Sequence, residues 1–188
     1  LFGMSSDGRM NWNRASDGVI PNSSISLHRD SAHLVFIEGK SEACRSHSTD
    51  RVSVSEIVRN ARVTCLDAAT GQQLWEQPLD WQDAKNVLYT QLVGDYVVVA
   101  SSESRSKKAW YRVGVLRLSD GEWVWTQRHA HIKEGLGHGE QVHHPLALRQ
   151  PSGRVCILAE PYLYNVETGE RIVPEGAPAN WALRRPGH

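Results

Sequence analysis

Histidine side chains are concentrated in one short stretch of the sequence. Five of the nine histidines lie within 16 residues, namely His129, His131, His138, His143 and His144. Imidazole nitrogens are good ligands for Zn, Cu, Fe or Ni, and Glu134 and Glu140 in the same stretch offer oxygen ligands. Three interpretations stay open: a solvated polar loop, a ligand-binding surface that uses one or two histidines, and a transition-metal site.

The spacing of these residues selects His138 and His144 as the candidate ligands. No H-E-x-x-H pattern is present, and the glycines at 135, 137 and 139 favour a flexible link over a preset metal cage. Because adjacent side chains of a strand face opposite ways, His143 and His144 cannot both face one ligand. Pro145 biases His144 towards an extended conformation, so we expect His144 to face the ligand with His138 as its companion. Glu160 is the best isolated acid and a third candidate ligand-binding residue, although a solvated position at a strand edge is its simpler interpretation.

Composition excludes several classes of protein. The chain has 188 residues with 21 basic and 21 acidic side chains, and its isoelectric point is about 7.3. A balanced charge gives no basic surface for nucleic acid, and no apolar run approaches the roughly 20 residues that span a bilayer. The chain also contains no G-x-S-x-G elbow and no G-x-x-x-x-G-K-[ST] phosphate loop. We therefore expect a folded protein with no nucleic-acid partner and no membrane span, and the sequence assigns no catalytic residue.

The sequence contains a repeat of about 50 residues. The strands of this repeat must position the candidate ligand side chains. Segments 63–80, 113–130 and 161–178 align without gaps, each with an alternating apolar strand, a turn that ends in glycine, and a second strand. A partial fourth copy opens the chain, and in three copies a tryptophan follows the glycine after four residues. The repeated positions are Gly8, Trp12, Gly71, Trp75, Gly121, Trp125 and Gly169. Each full copy is preceded by another pair of short strands with a polar or glycine-containing turn, so each unit contains four strands.

Four short antiparallel strands that recur with a glycine turn and an aromatic residue are typical of β-propeller blades. The sequence predicts an all-β fold that forms one partial propeller over residues 1–188. It contains the outer strand of a preceding blade at about 6–14, three blades at 23–79, 87–128 and 143–173, and a leader into a next blade at 174–188. Because closure takes typically 4–8 blades, we expect the rest of the ring to come from the same, longer chain or from another chain.

Three strings carry a resemblance to a known family. LDAATGQQLW (66–75), LSDGEWVW (118–125) and NVETGERIV (165–173) resemble the repeat of pyrroloquinoline-quinone-type β-propellers. That group includes the quinoprotein alcohol dehydrogenases and the outer-membrane assembly propeller lipoprotein. The resemblance covers about residues 23–178, and it implies a bacterial protein with a periplasmic or otherwise extracytoplasmic location. For a dehydrogenase it also implies pyrroloquinoline quinone with calcium, usually in an eight-bladed ring with two adjacent cysteines, and this sequence has no adjacent cysteines.

Three functions follow as alternatives. The favoured one is a binding or scaffold domain of a quinoprotein-like propeller, with a protein or glycan ligand at the channel mouth and at the loops between blades. The second is part of a pyrroloquinoline-quinone-dependent dehydrogenase. The third is a histidine-metal enzyme that acts on a carbohydrate-like substrate. Neither the quinone with calcium nor a histidine-bound transition metal has a complete motif here.

Some expectations concern single residues and connections. Residues 40–60 are predicted as a polar, solvated insertion with a short helix around 54–60, and residues 103–109 as a shorter basic insertion at the equivalent place. Cys65 and Cys156 lie in apolar alternating runs and are expected to be buried free thiols, whereas the polar stretch around Cys44 allows exposure. Trp75 and Trp125 should pack between adjacent blades.

Overall fold

The computed structural model describes residues 1–28, 32–46, 52–105, 108–132, 144–150 and 152–182. The structure is mostly β, with 50% strand and 10% helix. In the part that is described, the strands form a two-stranded hairpin and three four-stranded sheets, and every strand pair is antiparallel. The predicted all-β class with four strands in each unit is therefore confirmed.

The elements follow one another along the chain without crossing between sheets. The N-terminal hairpin consists of β1 (Phe2–Met4) and β2 (Met10–Asn13). The first sheet contains β3 (Ser26–His28), β4 (His33–Gly39), β5 (Ala61–Asp67) and β6 (Gln73–Leu79). The second contains β7 (Leu88–Val93), β8 (Tyr96–Arg105), β9 (Lys108–Arg117) and β10 (Trp123–Ile132). The third contains β11 (Leu146–Arg149), β12 (Val155–Ala159), β13 (Tyr162–Asn165) and β14 (Arg171–Ile172).

Each sheet is a meander, and this order divides its connections between two ends. The hairpin turns between strands one and two, and between strands three and four, lie at one end of each sheet. We call this the glycine-turn end, because it carries the turns that close on the repeat glycines. Connections between strands two and three, and from one sheet to the next, lie at the other end, which we call the crossover end. Residues on the two ends are separated by the length of the strands.

Two buried apolar clusters join neighbouring sheets. The first contains Val35 and Val63 of the first sheet together with Leu88 and Val97 of the second. The second cluster joins the opposite face of the second sheet to the third, through residues such as Val98, Val113, Ile157 and Tyr164. Alternation along each strand explains this arrangement, because successive side chains point to opposite faces and an internal sheet must bury both. The three sheets therefore pack face to face in chain order.

The first strands of the first two sheets are also joined directly. The Ser26 hydroxyl donates to the carbonyl oxygen of Thr90 at 2.8 Å, and the Thr90 hydroxyl donates to the carbonyl oxygen of Ser24 at 2.8 Å. Short polar side chains at this seam let the two backbones approach closely while their buried polar groups stay satisfied.

The repeated tryptophans link each unit to the next in one constant geometry. The indole Nε1 atoms of Trp12, Trp75 and Trp125 donate to the carbonyl oxygens of Ala68, Leu118 and Val166 at 2.9, 2.7 and 2.8 Å. Each accepting residue lies three positions before a repeat glycine, and each indole ring covers that glycine of the following sheet. The prediction that Trp75 and Trp125 pack between adjacent units is confirmed.

The repeat glycines are required both by the backbone and by these rings. Gly71, Gly121 and Gly169 have φ values of +72°, +75° and +72°, in the left-handed region that favours glycine. A Cβ atom added at any of them would lie 2.5 to 2.7 Å from a tryptophan ring atom of the preceding unit. The turn and the inter-sheet contact therefore depend on the same residue.

The insertion in the first sheet differs from the expectation of a solvated segment. Its helix around 54–60 is confirmed as α2 (Val54–Ile57) followed by a 3-10 turn (Val58–Asn60), and a second helix, α1 (Glu42–Ser46), precedes it. Ile57 and Val58 are buried in the first apolar cluster. Cys44 is buried there as well, so its exposure is ruled out. The helices place these apolar side chains on the core although the segment is polar on average.

The connection between β8 and β9 is shorter than the sequence predicts. Of the predicted insertion at 103–109, residues 103–105 belong to β8 and residues 108–109 belong to β9, and Arg105 pairs with Lys108. The same two strands also pair Glu103 with Trp110. The described residues of the predicted insertion therefore extend the second sheet.

Two of the three cysteines have the state that the sequence predicts. Cys65 and Cys156 are buried free thiols. Burial raises the pKa of the Cys65 thiol to about 12, so this side chain stays protonated near pH 7 and acts as a small apolar group.

Candidate functional site

Two of the three predicted ligand residues lie at the crossover end of the third sheet. His144 comes just before β11, and Glu160 comes just after β12. Leu146 pairs with Leu158 in the antiparallel register. His144 lies two residues before Leu146 and Glu160 lies two residues after Leu158, so both are at the same end of the sheet. His138 lies outside the described residues.

The surroundings of His144 and Glu160 differ strongly. His144 is exposed, its Nδ1 lies 3.0 Å from the Pro145 carbonyl oxygen, and its ring meets the Tyr89 ring edge-on at 5.0 Å. Since Tyr89 belongs to β7, His144 lies where the second and third sheets meet. Glu160 is only 6% exposed, so the expectation of a solvated edge residue is wrong. A ligand role for His144 and Glu160 remains a prediction.

A charged cluster that sequence reasoning missed occupies the crossover end of the second sheet. Glu103 is buried at the end of β8, where Lys85 Nζ lies 3.0 Å from its Oε1 and Arg128 Nη2 lies 3.9 Å from its Oε2. Asp83 accepts from both Arg112 and Arg128 at 2.6 Å. The sequence did contain a signal for this cluster, because in VVVASSE (97–103) a carboxylate follows an apolar run that is expected to be buried. A buried charge requires a partner.

This charged cluster is closed. The Arg128 guanidinium stacks 4.2 Å above the Trp110 ring, and the gap among the surrounding side chains is about 10 Å³, which is room for about one water molecule. Each acid already faces a cation, so the cluster neutralises its own charges and fastens the connection 80–87 to the second sheet.

His129 lies in an aromatic cluster between the second and third sheets. Its ring is edge-on to Tyr162 at 4.9 Å and 5.9 Å from Tyr164, and its Nε2 lies 2.9 Å from Gln127 Oε1. Burial lowers the pKa of His129, and the nearby positive charge of Arg171 lowers it further. Burial also raises the pKa of the Tyr164 phenol. Both rings are therefore neutral near pH 7 and act as packing groups.

His129 is expected to make the free energy of unfolding depend on pH. Its pKa is lower in the folded state, so the unfolded chain binds the proton more readily, and stability falls as pH drops below the ordinary histidine pKa of about 6.5. Urea unfolding at pH 7.5 and at pH 5.5 measures this loss. The loss should be smaller in His129→Phe, which keeps an aromatic ring without the titrating nitrogen. An equal loss in the two proteins would contradict this assignment.

An open groove of about 510 Å³ lies at the glycine-turn end, between the first and second sheets. The first sheet contributes His28 and His33, which are cross-strand partners on β3 and β4. The remaining lining residues come from the second sheet: Gly94, Asp95, Tyr96, Arg117, Leu118 and Ser119. The volume is within the range of about 300–1,000 Å³ that small-molecule sites occupy. Sequence reasoning missed this groove, because its residues come from three separate stretches that only the packing of the two sheets brings together.

The charge of the groove is mixed. Arg117 pairs with Asp120 at 2.6 Å and with Glu122 at 3.2 Å, so its guanidinium is neutralised by its own turn. The backbone N–H of Glu122 and the Arg117 guanidinium both donate to Asp120 and lower its pKa. Asp95 offers acceptor oxygens, Ser119 a hydroxyl, and Leu118 apolar surface, whereas the Tyr96 side chain packs against the second apolar cluster on the opposite face of the sheet. The groove is therefore suited to a neutral ligand with many hydrogen-bonding groups.

Comparison with known proteins gave no match, either among protein-family models or among curated proteins. Over the described ranges, no group of three or more His, Cys, Asp or Glu side chains is placed to hold a metal ion. No helix in that same part of the chain has the length and apolar character needed to cross a membrane.

Proposed function

We propose that this chain is an arc of a β-propeller with pyrroloquinoline-quinone-type repeats, and that it serves as a binding scaffold. The observation that supports the propeller is the constant contact between each repeated tryptophan and the next glycine turn, at Ala68, Leu118 and Val166. A fixed relation between consecutive four-stranded sheets is what a radial array of blades requires. The adjacent first strands β3 and β7, joined through Ser26 and Thr90, agree with inner strands around one axis.

The groove at the glycine-turn end is the proposed binding surface. It is formed by turns of two neighbouring sheets, and binding residues are often found on loops that a rigid scaffold holds in place. Its lining offers the Asp95 carboxylate, the Ser119 hydroxyl and the imidazoles of His28 and His33 as hydrogen-bonding groups. We therefore propose a neutral saccharide as its ligand.

The described residues fit the quinone and calcium of the dehydrogenase alternative poorly. Calcium requires several unpaired oxygen ligands, usually carboxylates. Among the described residues at the crossover end, Asp83 and Glu103 are held by Arg112, Arg128 and Lys85. No catalytic step is assigned to them.

Calorimetric titration with neutral oligosaccharides tests the proposed function. Maltohexaose, cellohexaose and chitohexaose serve as probes, and the binding of at least one is expected to weaken about tenfold or more in Asp95→Ala, because hydrogen bonds to a charged group contribute about 1.5–3 kcal/mol. Asp80→Ala is the matched control, because Asp80 is also exposed but follows β6 at the crossover end. Binding that depends on Asp80 instead, or that none of the probes shows, would contradict the groove.

The same titrations address the two alternatives. Pyrroloquinoline quinone with Ca²⁺ and Zn²⁺ alone are added in place of the oligosaccharides. Stoichiometric binding of the quinone would favour the dehydrogenase, and Zn²⁺ binding that is lost in His138→Ala and His144→Ala would favour the histidine-metal enzyme.

A further inference from the structure

His28 and His33 form one wall of the groove at the glycine-turn end. They are cross-strand partners, so their side chains lie on one face of the first sheet. That face is turned towards the second sheet. Ser26, two residues before His28, donates to Thr90 of β7, and Val35, two residues after His33, lies in the first apolar cluster. His33 therefore faces the second sheet across the groove.

One ring nitrogen of His33 is buried without a hydrogen-bond partner. This atom is Nδ1, and no described atom donates to it or accepts from it. In folded proteins an orphaned buried N–H is rarer than an under-used acceptor, which assigns the hydrogen of the neutral ring to Nε2. The charged ring also carries a hydrogen on Nε2. Because Nδ1 is buried and the side chain lines the groove, His33 presents Nε2 to the groove as an N–H donor.

The carboxylate next to His33 in the same cross-strand row is already engaged. Asp67 is the partner of His33 on β5. Its Oδ1 accepts from the backbone N–H groups of Ala69 and Thr70 at 2.9 and 2.8 Å, and from the Thr70 hydroxyl at 3.0 Å. Asp67 thus belongs to its own turn, and it does not accept from the Nδ1 atom of His33.

Asp95 supplies a hydrogen-bond acceptor on the opposite wall. It lies in the turn between β7 and β8, and its backbone carbonyl oxygen accepts from the N–H of Leu118 at 2.8 Å, which fixes the turn against the end of β9. Its side chain is exposed and lines the groove. Arg117, the cation of the lining, is paired with Asp120 and Glu122. The Asp95 carboxylate is therefore available to a donor on a ligand.

We propose that the groove recognises an N-acetylated saccharide, with His33 donating to the acetamido carbonyl oxygen and Asp95 accepting from the acetamido N–H. A trans secondary amide directs its N–H and its C=O to opposite sides, which matches an acceptor and a donor on opposite walls. A sugar hydroxyl has a single oxygen atom, so it cannot reach both walls at once. His33 and Asp95 are thus the specificity-determining residues. This ligand class rests on the proposed saccharide-binding function of the groove.

Chitohexaose and cellohexaose form a matched pair of probes. Both are β-1,4-linked hexamers, and they differ only in the acetamido group that replaces the 2-hydroxyl of each ring. In calorimetric titration the native chain should bind chitohexaose about tenfold or more tighter than cellohexaose, because only the amide uses both walls. Equal affinities, or a preference for cellohexaose, would overturn the proposal.

Two variants of His33 test its role as the donor. His33→Phe keeps an aromatic ring without the N–H, and it should reduce the preference for chitohexaose to within about twofold. His33→Gln places an amide N–H near the position of Nε2 and should restore most of the preference. An unchanged preference in a folded His33→Phe protein would overturn the assignment of the donor.

Failure of this ligand class and failure of the proposed function are separate results. Asp95→Ala should weaken both hexamers, since a sugar hydroxyl also donates to a carboxylate. If Asp95→Ala weakens binding but the native chain does not distinguish the two hexamers, the groove stands and the N-acetylated ligand is wrong. If no hexamer binds, the proposed function is wrong as well. Tetraalanine carries the same amide without a sugar, and tighter binding of tetraalanine than of chitohexaose would overturn the saccharide class.

Discussion

Replacing Trp75 with alanine is expected to lower the free energy of unfolding by about 3–5 kcal/mol. Trp75 is 8% exposed and lies in the cluster that joins the first and second sheets. Its removal leaves a cavity at that boundary and deprives the Leu118 carbonyl oxygen of the indole N–H at 2.7 Å. Urea unfolding followed by circular dichroism measures the change.

Two further variants separate packing from hydrogen bonding at this position. Leu74→Ala, at the neighbouring residue, removes a side chain that is 46% exposed. It should lower the free energy of unfolding by no more than about 0.5–1 kcal/mol. Trp75→Phe keeps an aromatic ring but loses the donor to Leu118, so an intermediate loss is expected. A Trp75→Ala protein as stable as the Leu74→Ala protein would mean that the first two sheets do not depend on this contact.

The strands and their grouping could be predicted because their causes are local. Alternation of apolar residues, the glycine turn and the tryptophan four residues later lie within about twenty residues of each other, and they recur. The pair of short strands predicted before the second full copy corresponds to β7 and β8, and Gly94 lies in the turn between them. Each repeat can therefore be recognised from its own sequence, without knowledge of the neighbouring repeats.

Burial of single polar or ambiguous residues could not be predicted, because it depends on which segments fold over them. Cys44 lies in a polar stretch, and it is buried because the short helix α1 places it on the core. Glu160 and Glu103 are buried at the crossover end, where segments from different parts of the chain meet. The local sequence determines the direction in which a side chain faces, but residues that are distant in the sequence determine whether it is buried.

The candidate site was missed for the same reason. The histidine-rich stretch led to His144, which lies at the crossover end, and to His138, which lies outside the described residues, because residue types in one segment are visible in the sequence. The groove between His33 and Tyr96 depends on how two sheets pack, and no single segment carries it. The tryptophan contacts set that packing, since Leu118 both lines the groove and accepts from Trp75. Substitutions at the contact between Trp75 and Leu118 should therefore also alter the shape of the groove.

Gly121→Ala provides the second large effect. The substitution places a methyl group in the left-handed region, at φ +75°, which costs about 1–2 kcal/mol. The new Cβ would also lie 2.5 Å from Trp75 Cε3, and this overpacking adds about 1–3 kcal/mol because the indole is fixed by its hydrogen bond to Leu118. Urea unfolding should show a total loss of about 2–5 kcal/mol, and binding of an oligosaccharide in the groove should weaken in the same protein.

Gly94→Ala is the matched control, because Gly94 also has positive φ, +56°, in a turn of the same sheet, but no atom lies within 4 Å of its added Cβ. Gly94→Ala should therefore lower the free energy of unfolding only by the cost of the left-handed backbone conformation. The double variant Trp75→Ala/Gly121→Ala then isolates the contact between the sheets. With the indole gone, the Gly121→Ala step should fall to about the cost of Gly94→Ala, so the two single losses should not add. Strict additivity would mean that Gly121 is required only by its own turn, and that the ring of Trp75 does not fix the position of the second sheet.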